Sequence, residues 1–248
     1  MTGTAADSAG AGEPADLGAY CRAIEAYLCK RNDGHLVRVV GPAFDCVAGW
    51  AAKGVPLRVA CRGIDRCVER HEAKGPRRRP VRVEFCDADV LDVFDAWRRA
   101  VGVPAAAFED GTAPDDGHAR RHASLAAHLD RVVARLTLLR GSGAIALGDV
   151  VDPLVAEIDA SRQHVKGLRG DARRQLLDRL RALDAALVAA VRAKLDASAL
   201  ATLEGEAGSE LKAFRDRMPA EAFAAAHTAC VDRLIRDRYS LPAIALES

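Results

Sequence analysis

The densest positive charge in this chain lies between Leu57 and Arg82. A helix predicted over Leu57–Lys74 carries four arginines at four-residue steps and leads directly into a basic loop. Successive arginines drift by only about 40° around the helix axis, so they share a broad face. The planar guanidinium group grips phosphate oxygens, and the pattern therefore predicts contacts with a nucleic-acid backbone. The candidate nucleic-acid-binding residues are Arg58, Arg62, Arg66, Arg70, Lys74, Arg77, Arg78, Arg79 and Arg82.

The same arginines admit a second interpretation, in which carboxylates of the chain itself neutralise them. Asp65 and Glu69 lie within one helical turn of neighbouring arginines, where surface ion pairs form routinely. The stretch 84–95 that follows holds five acidic residues and no basic ones. No aromatic residue lies among the basic ones to stack bases, which argues against a single-strand platform. Both a phosphate-binding face and an internally paired face therefore stay open.

Two groups of side chains have the composition of a metal site but lack its usual spacing. The cysteines form no Cys-x-x-Cys pair, which structural zinc sites usually contain. The histidine pair spans an arginine, Arg121, where a metalloprotease motif has glutamate. We predict no metal at either group. The first comprises Cys61, Cys67, His71 and Cys86, and the second comprises His118, His122 and His128.

Motifs for catalysis are missing from the sequence. It contains no Gly-x-Ser-x-Gly, no phosphate-cradling glycine loop followed by Lys-Ser/Thr, and no dinucleotide fingerprint. Paired acids such as Glu109-Asp110 lie in a predicted linker, where solvated carboxylates need no role. We therefore predict no catalytic residue and no cofactor.

Composition favours an all-α protein. Half of the 248 residues are hydrophobic but only 4% are aromatic, and the abundant Ala and Leu are strong helix formers. The net charge of +1 means that electrostatic recognition must come from local charge separation. Seven scattered cysteines indicate reduced thiols in a cytoplasmic protein. No apolar stretch approaches the roughly 20 residues that span a membrane.

The pattern along the chain predicts a small helical module, a linker and a longer bundle. Residues 1–16 are expected to be a disordered tail, and 17–101 a four-helix module with room for a short two-stranded β element. Residues 102–117 form the linker. Residues 118–248 form a bundle of four or five helices with an extended C-terminal tail.

Several local features can be placed on these helices. Asp87 is a plausible N-cap for the helix that ends near Val101. A helix is expected either to continue through Gly205 and Gly208 or to kink near them, since each glycine weakens a helix. Apolar residues at steps of three and four from Leu125 to Leu139 form a narrow helix-packing seam.

Four stretches of the first module carry a resemblance: Pro42 to Trp50, Gly54-Val55-Pro56-Leu57, Ile64 to Arg70, and Phe85 to Trp97. Over roughly Gly34 to Ala100, the module resembles the helical replication-initiation domain of the DnaD- and DnaB2-like bacterial proteins. This resemblance implies binding to single- or double-stranded DNA and contact with replication proteins, and it transfers no catalytic residue. The remaining helices resemble no family.

Two hypotheses of function follow. The first is a non-enzymatic nucleic-acid-associated or adaptor protein that binds DNA weakly and without sequence preference through the basic helix and loop. The alternative is a protein-interaction scaffold whose seam from Leu125 to Leu139 is partly exposed and pairs with another chain. An enzyme on a helical scaffold is a third hypothesis, which no constellation of residues supports.

Overall fold

The chain divides into two compact units, and segments from distant parts of the sequence contribute to each. Unit 1 comprises Met1–Asp110 and Ser209–Ala226, and unit 2 comprises Gly111–Gly208 and His227–Ser248. A computed structural model describes residues 16–73, 75, 80–104, 125–141, 147–162, 165 and 168–246. Residues 1–15 of the predicted tail, residues 105–117 of the predicted linker, and His118 and His122 lie outside the described residues.

Unit 1 is built on four consecutive helices, which confirms the predicted all-α class for this part of the chain. They are α1 (Leu17–Arg31), α2 (Pro42–Ala52), α3 (Leu57–Glu72) and α4 (Asp87–Val101). Local signals explain where they begin. The Asp16 carboxylate accepts a hydrogen bond from the Ala19 amide at 3.1 Å, and Pro42 occupies the first turn of α2.

The closest helix packing in unit 1 joins α3 to α4. The apolar face of α3 is buried, including Ile64, Cys67 and Val68. A glycine makes the close approach possible: a Cβ added at Gly63 would lie only 2.4 Å from the Cα of Val90. The charged side of α3 consequently lies beside the acidic residues of α4.

The two segments for which the sequence allows a β element, residues 35–40 and 80–85, do not form one. No strand occurs among the described residues, and Val83–Phe85 is a 3₁₀ turn. The buried side chain of Asn32, at the end of α1, instead holds the second segment: its amide donates to the Val81 carbonyl at 3.0 Å and its oxygen accepts from the Val81 amide at 2.8 Å. A side-chain amide at the end of a helix thus satisfies the main-chain groups of Val81.

Asp87 has a different role from the predicted N-cap. Cys86 is the N-cap of α4, with no side-chain capping bond, and Asp87 is the first helical residue. The Asp87 carboxylate accepts from the Trp50 indole at 2.7 Å and from the Cys46 thiol at 3.5 Å. It therefore fastens α2 to the start of α4, because a buried indole N–H requires an acceptor.

A late segment of the chain completes the core of unit 1. Residues 212–217 form a 3₁₀ helix, and Phe214 is fully buried. Its ring lies 6.4 Å from that of Phe94 and 5.8 Å from that of Trp97, measured between centroids. This segment was predicted to lie in the helical bundle of residues 118–248.

Unit 2 contains α5 (Leu125–Gly141), α6 (Gly148–Arg162) and α7 (Gly170–Lys194), together with parts of α8 (Ala197–Glu210) and α9 (Ala220–Arg238). The seam predicted on α5 is wholly buried, so the expectation that it is partly exposed is wrong. Its apolar side chains pack within the bundle because all of them lie on one helix face. The seam residues are Leu125, Leu129, Val132, Leu136 and Leu139.

Of the two outcomes predicted at Gly205 and Gly208, a continuous helix or a kink, the structure has the continuous helix. Both glycines lie inside the uninterrupted helix α8, and the break falls earlier, at Leu195 and Asp196. The Asp196 carboxylate accepts from the Ala199 amide at 2.7 Å. The N-cap therefore determines where the new helix begins. The two glycines do not break it, since each glycine costs only about 1 kcal/mol.

The C-terminal tail is held against unit 2, as predicted. Leu241 and Ile244 are buried, and the Ile244 amide donates to the Asp184 carboxylate at 2.7 Å. Arg236 binds the same carboxylate at 2.5 Å. No helix in the described ranges combines the length and the apolar character needed to cross a membrane.

Candidate functional site

The arginines of α3 lie beside carboxylates of α4 rather than open to solvent alone. Arg70 binds Asp89 at 2.6 Å. Arg66 lies 3.3 Å from Asp89 and 3.2 Å from Asp92. The Asp89 side chain is only 6% exposed, so two guanidinium groups compensate the cost of burying its charge.

Arg58, at the N-terminal end of the row of arginines, lies near a carboxylate from a distant part of the sequence. Its guanidinium group lies 3.7 Å from the Glu210 carboxylate. The Trp97 indole donates to the other oxygen of Glu210 at 3.2 Å. Glu210 therefore links α3 and α4 to the segment that carries Phe214.

The remaining predicted binding residues are placed as follows. Arg62 is half-buried on α3, and Arg82 is exposed before the 3₁₀ turn. Lys74, Arg77, Arg78 and Arg79 lie outside the described residues. For Arg58, Arg66 and Arg70 the geometry favours the internally paired interpretation over an open phosphate-binding face.

The sequence shows the acidic run 84–95 but does not show which of its carboxylates pairs with the arginines of α3. Asp89 directly precedes the buried Val90 and so lies at the border of the apolar face of α4. This position is the one local signal that Asp89 is buried. Glu210 gave no local signal, because it lies more than a hundred residues from Arg58. Its pairing depends on where residues 209–226 pack.

Two interacting thiols, those of Cys67 and Cys86, lie near the C-terminal end of α3. The Cys67 thiol donates to the Phe85 carbonyl at 3.2 Å and lies 3.7 Å from Nδ1 of His71. A hydrogen bond from Cys86 lowers the pKa of Cys67 to about 7, with His71 and Arg70 contributing. The same interaction raises the pKa of Cys86.

This cluster does not have the arrangement of a metal centre. Among the residues that the structure describes, no three His, Cys, Asp or Glu side chains converge as metal ligands. Nδ1 of His71 also lies 2.8 Å from the Cys67 carbonyl oxygen, an interaction that orients the ring within its own helix. His128, from the other candidate group, has its Nε2 3.0 Å from the Ile244 carbonyl oxygen.

Buried thiols should make the protein less stable in alkali. Burial, with a contribution from Asp87, raises the pKa of Cys46 to about 12, and burial beside Asp65 raises that of Cys61 to about 11. A pKa raised on folding stabilises the protein below the ordinary thiol value of 9.0, and this contribution is lost as the pH rises through the folded values. We expect the denaturation midpoint to fall between about pH 9 and pH 11.

The control for this prediction is the double variant Cys46→Ala, Cys61→Ala under reducing conditions. It should show a shallower fall in the denaturation midpoint over the same pH range, because two titrating thiols are gone. An unchanged slope would show that neither thiol contributes to the pH dependence.

Unit 2 has a depression between α5 and α6 with a volume of about 280 Å³. Its polar lining includes Arg140 and Asp152, which pair with each other at 3.3 Å. The rest of the lining is Thr137, Val151, Val155 and Ala156. This set supplies no nucleophile with an adjacent base, so it gives no support to a catalytic function.

Comparison with known proteins gives no match: no protein-family model, no curated protein and no solved structure is similar to this chain. The resemblance of the first module to the DnaD-like domain therefore stays a prediction.

Proposed function

We propose that this protein is a non-enzymatic cytoplasmic adaptor that binds another protein through unit 1. The observation that carries the proposal is an exposed apolar run in unit 1. Leu36 is 71% exposed, Val40 65% and Phe44 41%, all within nine residues of chain. Clustered exposed apolar side chains are typical of interaction surfaces, whereas single ones are common on any protein.

The charge arrangement supports a protein partner over a nucleic acid. A phosphate approaching Arg66 or Arg70 meets Asp89 and Asp92 at the same place. Because the cations are already paired, they hold little of the free positive charge whose neutralisation drives nucleic-acid binding by counterion release. The reduced state of the seven cysteines suits the reducing cytoplasm.

The interaction surface differs from the one predicted for a scaffold. The seam of α5 is buried in its own unit and is therefore unavailable to another chain. Leu138 is 75% exposed on the same helix, but a single exposed leucine needs no functional explanation. Unit 1 offers the larger set of exposed apolar side chains.

A pulldown with matched variants tests the proposal. The full chain and the variant Leu36→Ser, Val40→Ser would be used as baits in a nuclease-treated lysate. We expect a protein partner that the wild type captures and the variant loses by tenfold or more. The variant Leu138→Ser, which removes an equally exposed leucine from unit 2, should capture as much partner as the wild type.

The opposite result would favour the nucleic-acid hypothesis. In that case no partner would depend on Leu36 and Val40, and the chain would bind duplex DNA with an affinity that falls steeply with salt. Replacing Arg77, Arg78 and Arg79 with alanine would then flatten the salt dependence.

A further inference from the structure

Residues 36–40 run alongside α1 as an isolated extended segment. The Val37 amide donates to the Cys29 thiol at 3.2 Å, and the same thiol donates to the Val37 carbonyl at 3.5 Å. The Val39 amide donates to the Glu25 carboxylate at 3.1 Å. Four helical residues span about 6 Å, as do two extended residues, so the two spacings match.

The main-chain groups along one edge of the segment form hydrogen bonds with α1, and those along the other edge form none within the described part of the chain. Both main-chain groups of Val37 point to α1, and in extended chain alternate residues direct these groups to opposite edges. The main-chain groups of Leu36, Arg38 and Val40 therefore face the other edge. In the part of the chain that the structure describes, they form no hydrogen bond.

The side chains alternate in the same way as the main-chain groups. Val37 and Val39 are buried, whereas Leu36, Arg38 and Val40 are exposed. The segment thus has the two properties of an exposed edge strand: unpaired main-chain groups on one side, and alternate side chains that a partner strand can contact.

We propose that this edge binds an extended peptide segment of a partner protein by adding a β-strand to residues 36–40. The partner strand carries an acidic residue opposite Arg38 and apolar, β-branched residues opposite Leu36 and Val40. Opposite charges and apolar pairs that face each other across two strands stabilise the pairing. This inference rests on the proposed adaptor function and names the chemistry of the partner.

A second copy of this chain fits the edge less well than such a peptide. Antiparallel pairing of two copies that uses all five residues places Arg38 directly opposite its own equivalent. Like charges in that position destabilise a strand pair. The arginine at the centre of the edge therefore selects an acidic partner.

The test uses the full chain and a fluorescent nine-residue peptide whose centre reads Val-Thr-Glu-Thr-Val. Fluorescence anisotropy should show saturable binding, weakened about tenfold when the central glutamate is replaced by lysine. Methylating the amides of the peptide that face the edge should abolish binding, because main-chain hydrogen bonds supply much of the affinity in this mode.

A charge reversal on the protein completes the test. Arg38→Glu should invert the preference, so that the lysine peptide binds about tenfold more tightly than the glutamate peptide. Arg131→Glu, an equal charge change at an exposed site in unit 2, should leave the preference unchanged. Circular dichroism would confirm that both variants are folded.

Three outcomes would overturn the strand-addition proposal. They are the absence of peptide binding, equal binding of both peptides to both proteins, and self-association through the edge that the peptide does not displace. If a captured partner still depends on Leu36 and Val40 but ignores Arg38→Glu, the adaptor function stands and strand addition alone is rejected.

Discussion

Replacing Phe214 with alanine is expected to destabilise unit 1 by about 3–5 kcal/mol. The ring is fully buried and contacts the aromatic side chains of Phe94 and Trp97. Truncation would leave a cavity that the surrounding helices cannot close, because they are held by their own packing. Tryptophan fluorescence during guanidinium denaturation gives the measurement, since both tryptophans, Trp50 and Trp97, lie in unit 1.

Phe85→Ala is the matched control for this prediction. Phe85 is 59% exposed, so its loss should change the free energy of unfolding by no more than about 0.5 kcal/mol. If Phe214→Ala unfolded at the same denaturant concentration as Phe85→Ala, the segment 209–226 would not be part of the core of unit 1.

Adding a single methyl group at Gly63 is expected to cost about 3 kcal/mol. The new Cβ would lie 2.4 Å from the Val90 Cα and 2.6 Å from its Cγ2. The nearest obstacle is main chain, which cannot turn aside as a flexible side chain does. The Gly63→Ala variant must therefore push α3 away from α4 and loosen the packing of both helices.

Gly49→Ala shows what the same substitution does without the clash. Gly49 is also helical, and a Cβ there would meet nothing within 4 Å. Alanine is the better helix former by up to about 1 kcal/mol, so this variant should be as stable as the wild type or more so. The two thermal melting curves should shift in opposite directions, and equal melting temperatures would contradict the close contact between α3 and α4.

The local pattern of residues was enough to place most helices. The predicted start of the first module at residue 17 coincides with the start of α1, because the apolar spacing and the Asp16 cap act within a few residues. The same reasoning placed the start of α3 at Leu57. It misjudged the break before α8, where a cap and two glycines gave competing signals.

The state of the candidate site could not be predicted in this way. Whether the α3 arginines are open or paired depends on how closely α4 approaches, and Gly63 sets that distance. The identity of the neutralising acid at Arg58 depends on the packing of a segment more than a hundred residues later. The pattern of charges along the chain left two alternatives, an open phosphate-binding face and an internally paired face. Only the packing of the helices distinguished them.

By itself, the amino-acid sequence determined that this is a helical protein with reduced cysteines and a row of arginines followed by a row of acids. These properties follow from composition and from interactions within one or two helical turns. The tertiary structure decided which charges cancel, which apolar residues stay exposed, and that the main-chain groups of Leu36, Arg38 and Val40 form no hydrogen bond within the described part of the chain. These depend on contacts between distant residues, whose geometry no local pattern contains.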